Sequence, residues 1–323
     1  MPFKGVLMST IEHYHLVINE CSGSGRGKKI SQQVIQTLTN KRLSIELYKS
    51  VYPGHTIKLV HSLAQKITQN PALSQLIIII GGDGTLHEAF LGLGEEFAHL
   101  PLGYIPSGSG NDFARGNGIP KNPVKALEQI LAADQPKKID VLQYLDHHQN
   151  STGYAVNNVG IGFDAAIVKK ANHSPSKPFL NKIGLNSLVY LACFIQVFFK
   201  QASFPLTIII DGKKKQFEDA FLVTVNNHPY FGGGIPVSPK ASQVDGKLDL
   251  IILPKLPFLK ILYLFSLMIT GEKHLNHKDV YYSQSKTLSL KTTRTIDSNA
   301  DGEELTYQSI DFTLHTSSRY FWH

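Results

Sequence analysis

The chain has 323 residues, 42% hydrophobic and 18% charged, with 26 glycines and 16 prolines. This length suits roughly two domains, and the composition excludes a disordered, collagen-like or coiled-coil protein. Two cysteines, Cys21 and Cys193, with no C-x-x-C pair exclude a disulfide scaffold and a thiolate zinc site, while a net charge of +7 suits an anionic partner: nucleotide, nucleic acid or acidic membrane surface.

Met1–His15 carries Lys4, Glu12 and other polar residues, with no apolar core of a signal peptide, so a cytoplasmic protein is expected. Met8 is an alternative start. His15–Asn19 then reads as a strand, Ser22–Gly27 as a Gly/Ser loop, and Ile30–Thr39 as a helix. Ser44–Lys49 is a second strand and Thr56–Thr68 a helix with Ile57, Val60, Leu63, Ala64 and Ile67 on one face. The continuous apolar run Gln75–Ile80 predicts a strand buried on both faces of a parallel sheet. The tight loop Gly81–Thr85, a helix over Leu86–Leu93 and a strand over Leu102–Ile105 complete a βαβ rhythm, which predicts a doubly wound α/β domain. The rhythm changes near Lys138–Asp140. Thr207–Ile210, Asp211-Gly212 and Lys213–Glu218 predict a hairpin, and Ala220–Val225, Lys247–Ile252, Thr287–Lys291 and Ile310–Leu314 predict further strands of an antiparallel, β-rich half. Apolar helices over Leu185–Phe199 and Phe258–Ile269 interrupt it. The apolar stretches Leu188–Phe199 and Leu256–Ile269 do not read as membrane spans: the first is too short and the second carries Pro257 and Lys260 inside it.

Three glycine-rich loops each follow a predicted strand of the first half: Asn19–Lys28, Gly81–Thr85 and Pro106–Asp112. In an open α/β sheet, loops after strand ends crowd one edge, where glycines let backbone N–H groups approach phosphate oxygens. The common nucleotide motifs fail. Lys29 stands where a Walker A loop needs Ser or Thr, and the first loop has no G-x-G-x-x-G. In the second loop, Asp83 is a carboxylate in a place that should attract anions. It fits a bridging cation or hydroxyl donors, and it fits equally a helix N-cap.

Gly81-Gly-Asp-Gly-Thr-Leu-His-Glu88 together with Pro106-Ser-Gly-Ser-Gly-Asn-Asp-Phe-Ala-Arg115 resembles the diacylglycerol kinase catalytic-domain family, and the whole chain resembles its soluble bacterial lipid kinases. Further matches follow in the family's order: Asn19-x-x-Ser-Gly23, Asn158-x-Gly-x-Gly-Phe-Asp164, Gly232-Gly-Gly-x-x-x-x-Pro239, Asp245-Gly-x-Leu-Asp249 and Asp301-Gly-Glu303. The resemblance implies an α/β nucleotide-binding domain over residues 1–139. A β-sandwich-like domain for lipid and magnesium follows over 140–314, and residues from about 315 to 323 return to the first domain through Tyr320-Phe-Trp322. It implies ATP held by Asn19, Glu20, Cys21, Ser22, Gly23, Ser50, Gly81, Gly82, Asp83, Gly84, Thr85, Leu86, His87 and Ser109. It implies Mg²⁺ at Asp245 with backbone oxygens of Ser242 and Lys247, and catalysis by Asp83 and by Glu303 as general base, in preference to the adjacent Glu304. The implied reaction moves the γ-phosphate of ATP to a lipid hydroxyl, above all that of diacylglycerol. It takes place in a cleft between the domains, peripherally at the inner face of the membrane; a homodimer is left open.

Three residues depart from the family's pattern: Glu20 replaces its usual proline, bringing negative charge toward the phosphates, and His55 and His87 stand where Asp and Asn are common. The pairs His147-His148 and His274/His277 read as solvated loop histidines, and Lys213-Lys-Lys215 as a charged hairpin turn. The rival readings are a kinase for a sphingoid base, phosphatidylglycerol or NAD, and a non-catalytic nucleotide-binding regulator. Nucleic acid is not an expected partner, because no recognition motif or aromatic-basic interleaving is present.

Overall fold

The computed structural model describes residues 11–173, 186–305 and 308–323. The readings on residues 1–10 and on Leu185 fall outside them. The chain forms two compact units: one ends at Ile139 and includes Ser318–His323, the other is Asp140–Ser317.

The first unit runs β1 (His13–Ile18), α1 (Ser22–Asn40), β2 (Ser44–Lys49), α2 (His55–Gln69), β3 (Gln75–Gly81), α3 (Asp83–Leu93), β4 (Leu102–Pro106), α4 (Asp112–Gly116) and α5 (Pro123–Ala132). Its strands pair in parallel in the order β2-β1-β3-β4. Leu76–Ile80 of β3 is buried throughout, as an apolar run covered on both faces must be. The helices supply that cover with one stripe each, Val34 and Leu38 from α1, and Val60, Leu63, Ala64 and Ile67 from α2. Chain order reverses at β1, which places the topological switch between β1 and β3.

The last residues pack on this unit. Phe321 pairs in parallel with Leu102 and stacks edge-on against Phe113, and the Trp322 indole N–H donates to the Ile130 carbonyl at 3.0 Å. Arg319 is fully buried and donates to the Gly94 carbonyl.

The second unit contains β5 (Lys137–Asp146, entering from the first), β6 (Ser151–Ala155), β7 (Asn158–Gly162), α6 (Phe163–Asn172), α7 (Asn186–Lys200), β8 (Phe204–Ile210) and β9 (Lys213–Asn226). Then come β10 (Leu248–Pro254), α8 (Phe258–Gly271), β11 (Tyr281–Ser285), β12 (Thr287–Ile296), β13 (Ser298–Ala300), β14 (Glu303–Glu304) and β15 (Gln308–Phe321). The hairpin is present: Asp211 and Gly212 both have positive φ, 48° and 77°, as a tight primed turn requires. Lys213–Glu218 and Ala220–Val225 are one strand rather than two, because β9 pairs with β8 through its first half and with β7 and β10 through its second. The core beneath is mainly aliphatic with a few aromatic rings, and Val223, Val225, Leu250, Leu290 and Phe312 are fully covered.

Two bland histidine readings need correction. His274 is buried and bonded to the Val237 carbonyl, and His277 has a carboxylate neighbour, Asp279, at 3.4 Å. Local sequence showed neither, because both depend on how the segment after α8 folds back.

Candidate active site

The three glycine loops of the first unit interlock at the carboxyl ends of β1, β3 and β4. Loop one leaves β1 at Asn19 and takes three consecutive left-handed residues, Gly23, Ser24 and Gly25, before α1 becomes regular. A Cβ on Gly23 would lie 2.1 Å from the Ser107 carbonyl oxygen, and one on Gly108 would lie 2.6 Å from Gly82 Cα. Only glycine therefore fits where the loops touch. Polar ties close the same joint. Asn19 Nδ2 donates to Thr85 Oγ1 at 3.0 Å, the Ser22 and Ser107 hydroxyls lie 2.5 Å apart, and Arg26 Nη2 donates to the Gly108 carbonyl at 2.8 Å.

Asp83 is neither a free carboxylate nor the cap of its own helix. It opens α3, and its two oxygens accept the backbone N–H groups of Asp112 at 3.1 Å and Phe113 at 3.2 Å. One carboxylate thus caps the short turn of the third loop from the second loop. The reading of Asp83 as the cap of its own helix is thus corrected: Gly82 occupies that place, and the Asp83 carboxylate serves donors about thirty residues downstream.

The other residues expected from the sequence to hold nucleotide divide by access. Cys21 and Ser109 are exposed, while Thr85, Leu86 and His87 are buried. The Leu86 side chain is fully covered and its N–H is bonded to the Gly82 carbonyl, so it supports the loop from beneath. Ser50 accepts the Thr56 hydroxyl at 3.1 Å, and Glu88 accepts the N–H groups of Gly54 and Thr56 at the start of α2. Glu20 is paired with Lys49 at 2.9 Å, which offsets the negative charge its sequence position brings. Sequence reasoning missed Arg26, Ser107 and Glu88 as loop-fastening groups. An arginine between two glycines of the first loop was the available signal for the first.

The second unit holds the Asp301-Gly-Glu303 and Ser242–Lys247 turns. Asp301 and Gly302 turn the chain with φ of 52° and 85°. The Asp301 carboxylate accepts the N–H groups of Val156, Asn157 and Asn158 at 2.7, 2.8 and 3.1 Å, and Asn299 Oδ1 accepts that of Gly302. This turn presents Glu303, which is exposed and whose carboxylate has no hydrogen-bond or ion-pair partner among the described residues. Glu304 lies instead against His173, 3.1 Å away. Of the two adjacent acids, only Glu303 has its carboxylate uncommitted.

Ser242, Asp245 and Lys247 lie in the turn before β10. Asp245 is exposed, and its Oδ1 accepts the Lys247 N–H at 3.0 Å. Burial raises the carboxyl pKa of Asp249, and the charge of Asp245 adds to that rise. The Asp249 carboxylate accepts the Tyr282 hydroxyl and the Gln284 amide, whereas the exposed Asp245 carboxylate is an oxygen donor of the type a hard divalent cation takes.

Two family models match the chain: the diacylglycerol kinase catalytic domain over residues 13–144, and the YegS C-terminal NAD kinase beta sandwich-like domain over 157–315. Together they span nearly all of both units. The chain belongs to the diacylglycerol kinase catalytic-domain family. Among its relatives, YtlR of Bacillus subtilis, provisionally named a lipid kinase, is 29% identical over 297 residues, covering 91% of this chain and 94% of that one. The diacylglycerol kinase of Bacillus subtilis is 29% identical over 291 residues, covering 89% and 88%. A Bacillus anthracis crystal structure, provisionally described as a diacylglycerol kinase, superposes with a TM-score of 0.74 at 24% identity over 98% of both chains, a likeness of fold. Family membership makes this a lipid-kinase-like protein, with an α/β domain followed by a β-rich one.

Proposed function

We propose that the protein is an ATP-dependent lipid kinase that transfers the γ-phosphate to a lipid hydroxyl, with diacylglycerol as acceptor and phosphatidic acid as product. The interlocked glycine loops carry this reading. Asn19–Gly23, Gly81–His87, Ser50 and Ser109 form the nucleotide side, and backbone N–H groups at these loops bind phosphate oxygens. Asp83 acts as a positioning residue, because its carboxylate fastens the second loop to the third. Glu303 is the general base: it takes the hydroxyl proton as that oxygen attacks the γ-phosphorus and the bond to ADP breaks. Phosphoryl transfer rests mainly on positioning and charge stabilisation, and a carboxylate at hydrogen-bond distance from the acceptor supplies the rest.

Mg²⁺ would be held by the Asp245 carboxylate with the Ser242 and Lys247 carbonyls, where it would offset the repulsion between Asp245 and Asp249 and stiffen the turn.

For access to lipid, we infer peripheral binding through α7 and α8. No helix among the described residues is long and apolar enough to cross a membrane. Yet Phe199 of α7 and Leu259, Tyr263 and Ile269 of α8 are more than half exposed, at 67%, 78%, 52% and 56%. The two helices meet at Phe199 and Phe258. An apolar face on neighbouring helices, in a chain of net charge +7, suits an anionic bilayer surface.

Incubation with γ-labelled ATP and separate acceptors tests the reading. Label in phosphatidic acid is expected. Label only in a sphingoid base, phosphatidylglycerol or NAD would replace the acceptor, and label in none would favour a nucleotide-binding regulator.

A further inference from the structure

The opposite end of the first unit's sheet holds a second convergence of polar groups. His13, Ser44 and Gln75 are the first residues of β1, β2 and β3, whereas the glycine loops follow their last residues. The six residues of β1 separate the two ends by about 16 Å at a strand's rise. His13 and His15 stand two apart on β1 and share one face, and the parallel register sets Glu46 of β2 directly beside His15.

The outer ring nitrogens of both histidines are occupied. Nδ1 of His13 lies 2.7 Å from Ser44 Oγ, and Nε2 of His15 lies 2.8 Å from Gln75 Oε1. The amide oxygen of Gln75 can only accept, so His15 carries its proton on Nε2 and turns the lone pair of Nδ1 inward. That Nδ1 is buried without a hydrogen-bond partner and lies 3.4 Å from Glu46 Oε2; His13 Nε2 is 3.8 Å from the same oxygen. A lone pair and a carboxylate oxygen at this separation repel unless a cation lies between them.

We propose that His13 Nε2, His15 Nδ1 and Glu46 bind one divalent transition-metal ion, Zn²⁺ by preference, which clips the edge strand β2 to β1. The candidate ligand atoms all lie within 4.8 Å of one another. On a tetrahedral zinc with bonds of about 2.0–2.1 Å, neighbouring ligand atoms sit about 3.3 Å apart, close to the separation of His15 Nδ1 from Glu46 Oε2. Two imidazoles and one carboxylate suit zinc rather than magnesium or calcium. Ser44 and Gln75 supply the outer hydrogen bonds that orient histidine ligands. The His13 side chain is 24% exposed and that of Glu46 is 42%, leaving a path in from solvent.

Two further groups face Glu46. The Tyr48 hydroxyl hydrogen-bonds to it, and the Lys66 ammonium lies 3.0 Å from Oε2. Lys66 is 58% exposed at the end of a flexible side chain, so the incoming ion displaces it. Lys66 is therefore a competitor, and its removal separates a metal site from a simple ion-pair cluster.

The test titrates Zn²⁺ calorimetrically into the full-length, tag-free, metal-stripped chain, with Co²⁺ absorption as a geometric readout. Expected are one ion per chain and visible bands of four-coordinate cobalt. Binding should weaken at least 10-fold in His13→Ala and in Glu46→Gln, and tighten several-fold in Lys66→Ala. His13 and Glu46 are part-exposed, and circular dichroism verifies that their variants fold. Zn²⁺ affinity that is undetectable, or unchanged in both ligand variants, overturns the proposal; so does weaker binding in Lys66→Ala.

Discussion

At the scale of single residues, two carboxyl groups illustrate opposite uses of burial. Asp301 spends its charge on three backbone N–H groups and leaves Glu303 exposed beside it. Replacing Asp301 with Ala leaves those donors unsatisfied, at a cost of about 1–3 kcal/mol, and should lower the unfolding free energy in urea by that amount. Asp164 is less well compensated: burial pushes its carboxyl up to about 7, although hydrogen bonds from the Ala165 N–H and the Asn299 side chain oppose the rise. The folded state therefore keeps a proton that the unfolded chain releases near pH 4. Stability from this group is fully present below about pH 4 and is lost as pH rises toward 7, at about 1.4 kcal/mol per pH unit. Asp164→Asn should remove that slope and gain relative stability at pH 8, measured by urea unfolding across pH 4–8. An unchanged slope would refute the assignment.

At the scale of elements, the glycine loops make the sharpest demand on the sequence. Gly108→Ala drives a Cβ to within 2.6 Å of the Gly82 backbone, where no flexible side chain can yield. It should cost about 1–3 kcal/mol of stability and weaken ATP binding, read by thermal shift with and without nucleotide. The loops themselves were legible, because glycine-rich runs after apolar strands admit few alternatives. The β3 strand and the Asp211-Gly212 hairpin were equally plain. Less visible was anything set by distant pairing. The partner of Asp83 lies on another loop, β9 is continuous because it changes neighbours halfway, and α4 has only five residues and no periodicity to display. The His13/His15/Glu46 cluster escaped for the same reason. A His-x-His at a strand start is ordinary until parallel register brings a glutamate alongside.

At the scale of the whole molecule, the chain combines an α/β unit that carries the glycine loops and includes the chain's last residues with a β-rich unit carrying the acidic turn and the apolar helices. The apolar face predicts a separable membrane step. Leu259→Asp with Phe199→Asp should reduce sedimentation with anionic vesicles at least several-fold while leaving ATP affinity unchanged; equal sedimentation would remove these helices from lipid access. The central claim is that Glu303 deprotonates the acceptor of a phosphate held by the glycine loops. Its most direct test is the rate of label transfer from γ-labelled ATP to diacylglycerol vesicles by the parent chain and by Glu303→Gln, with ATP affinity measured on the same samples. The account predicts a fall of about 10²–10⁴-fold in rate, with ATP affinity retained. An undiminished rate in Glu303→Gln would contradict it.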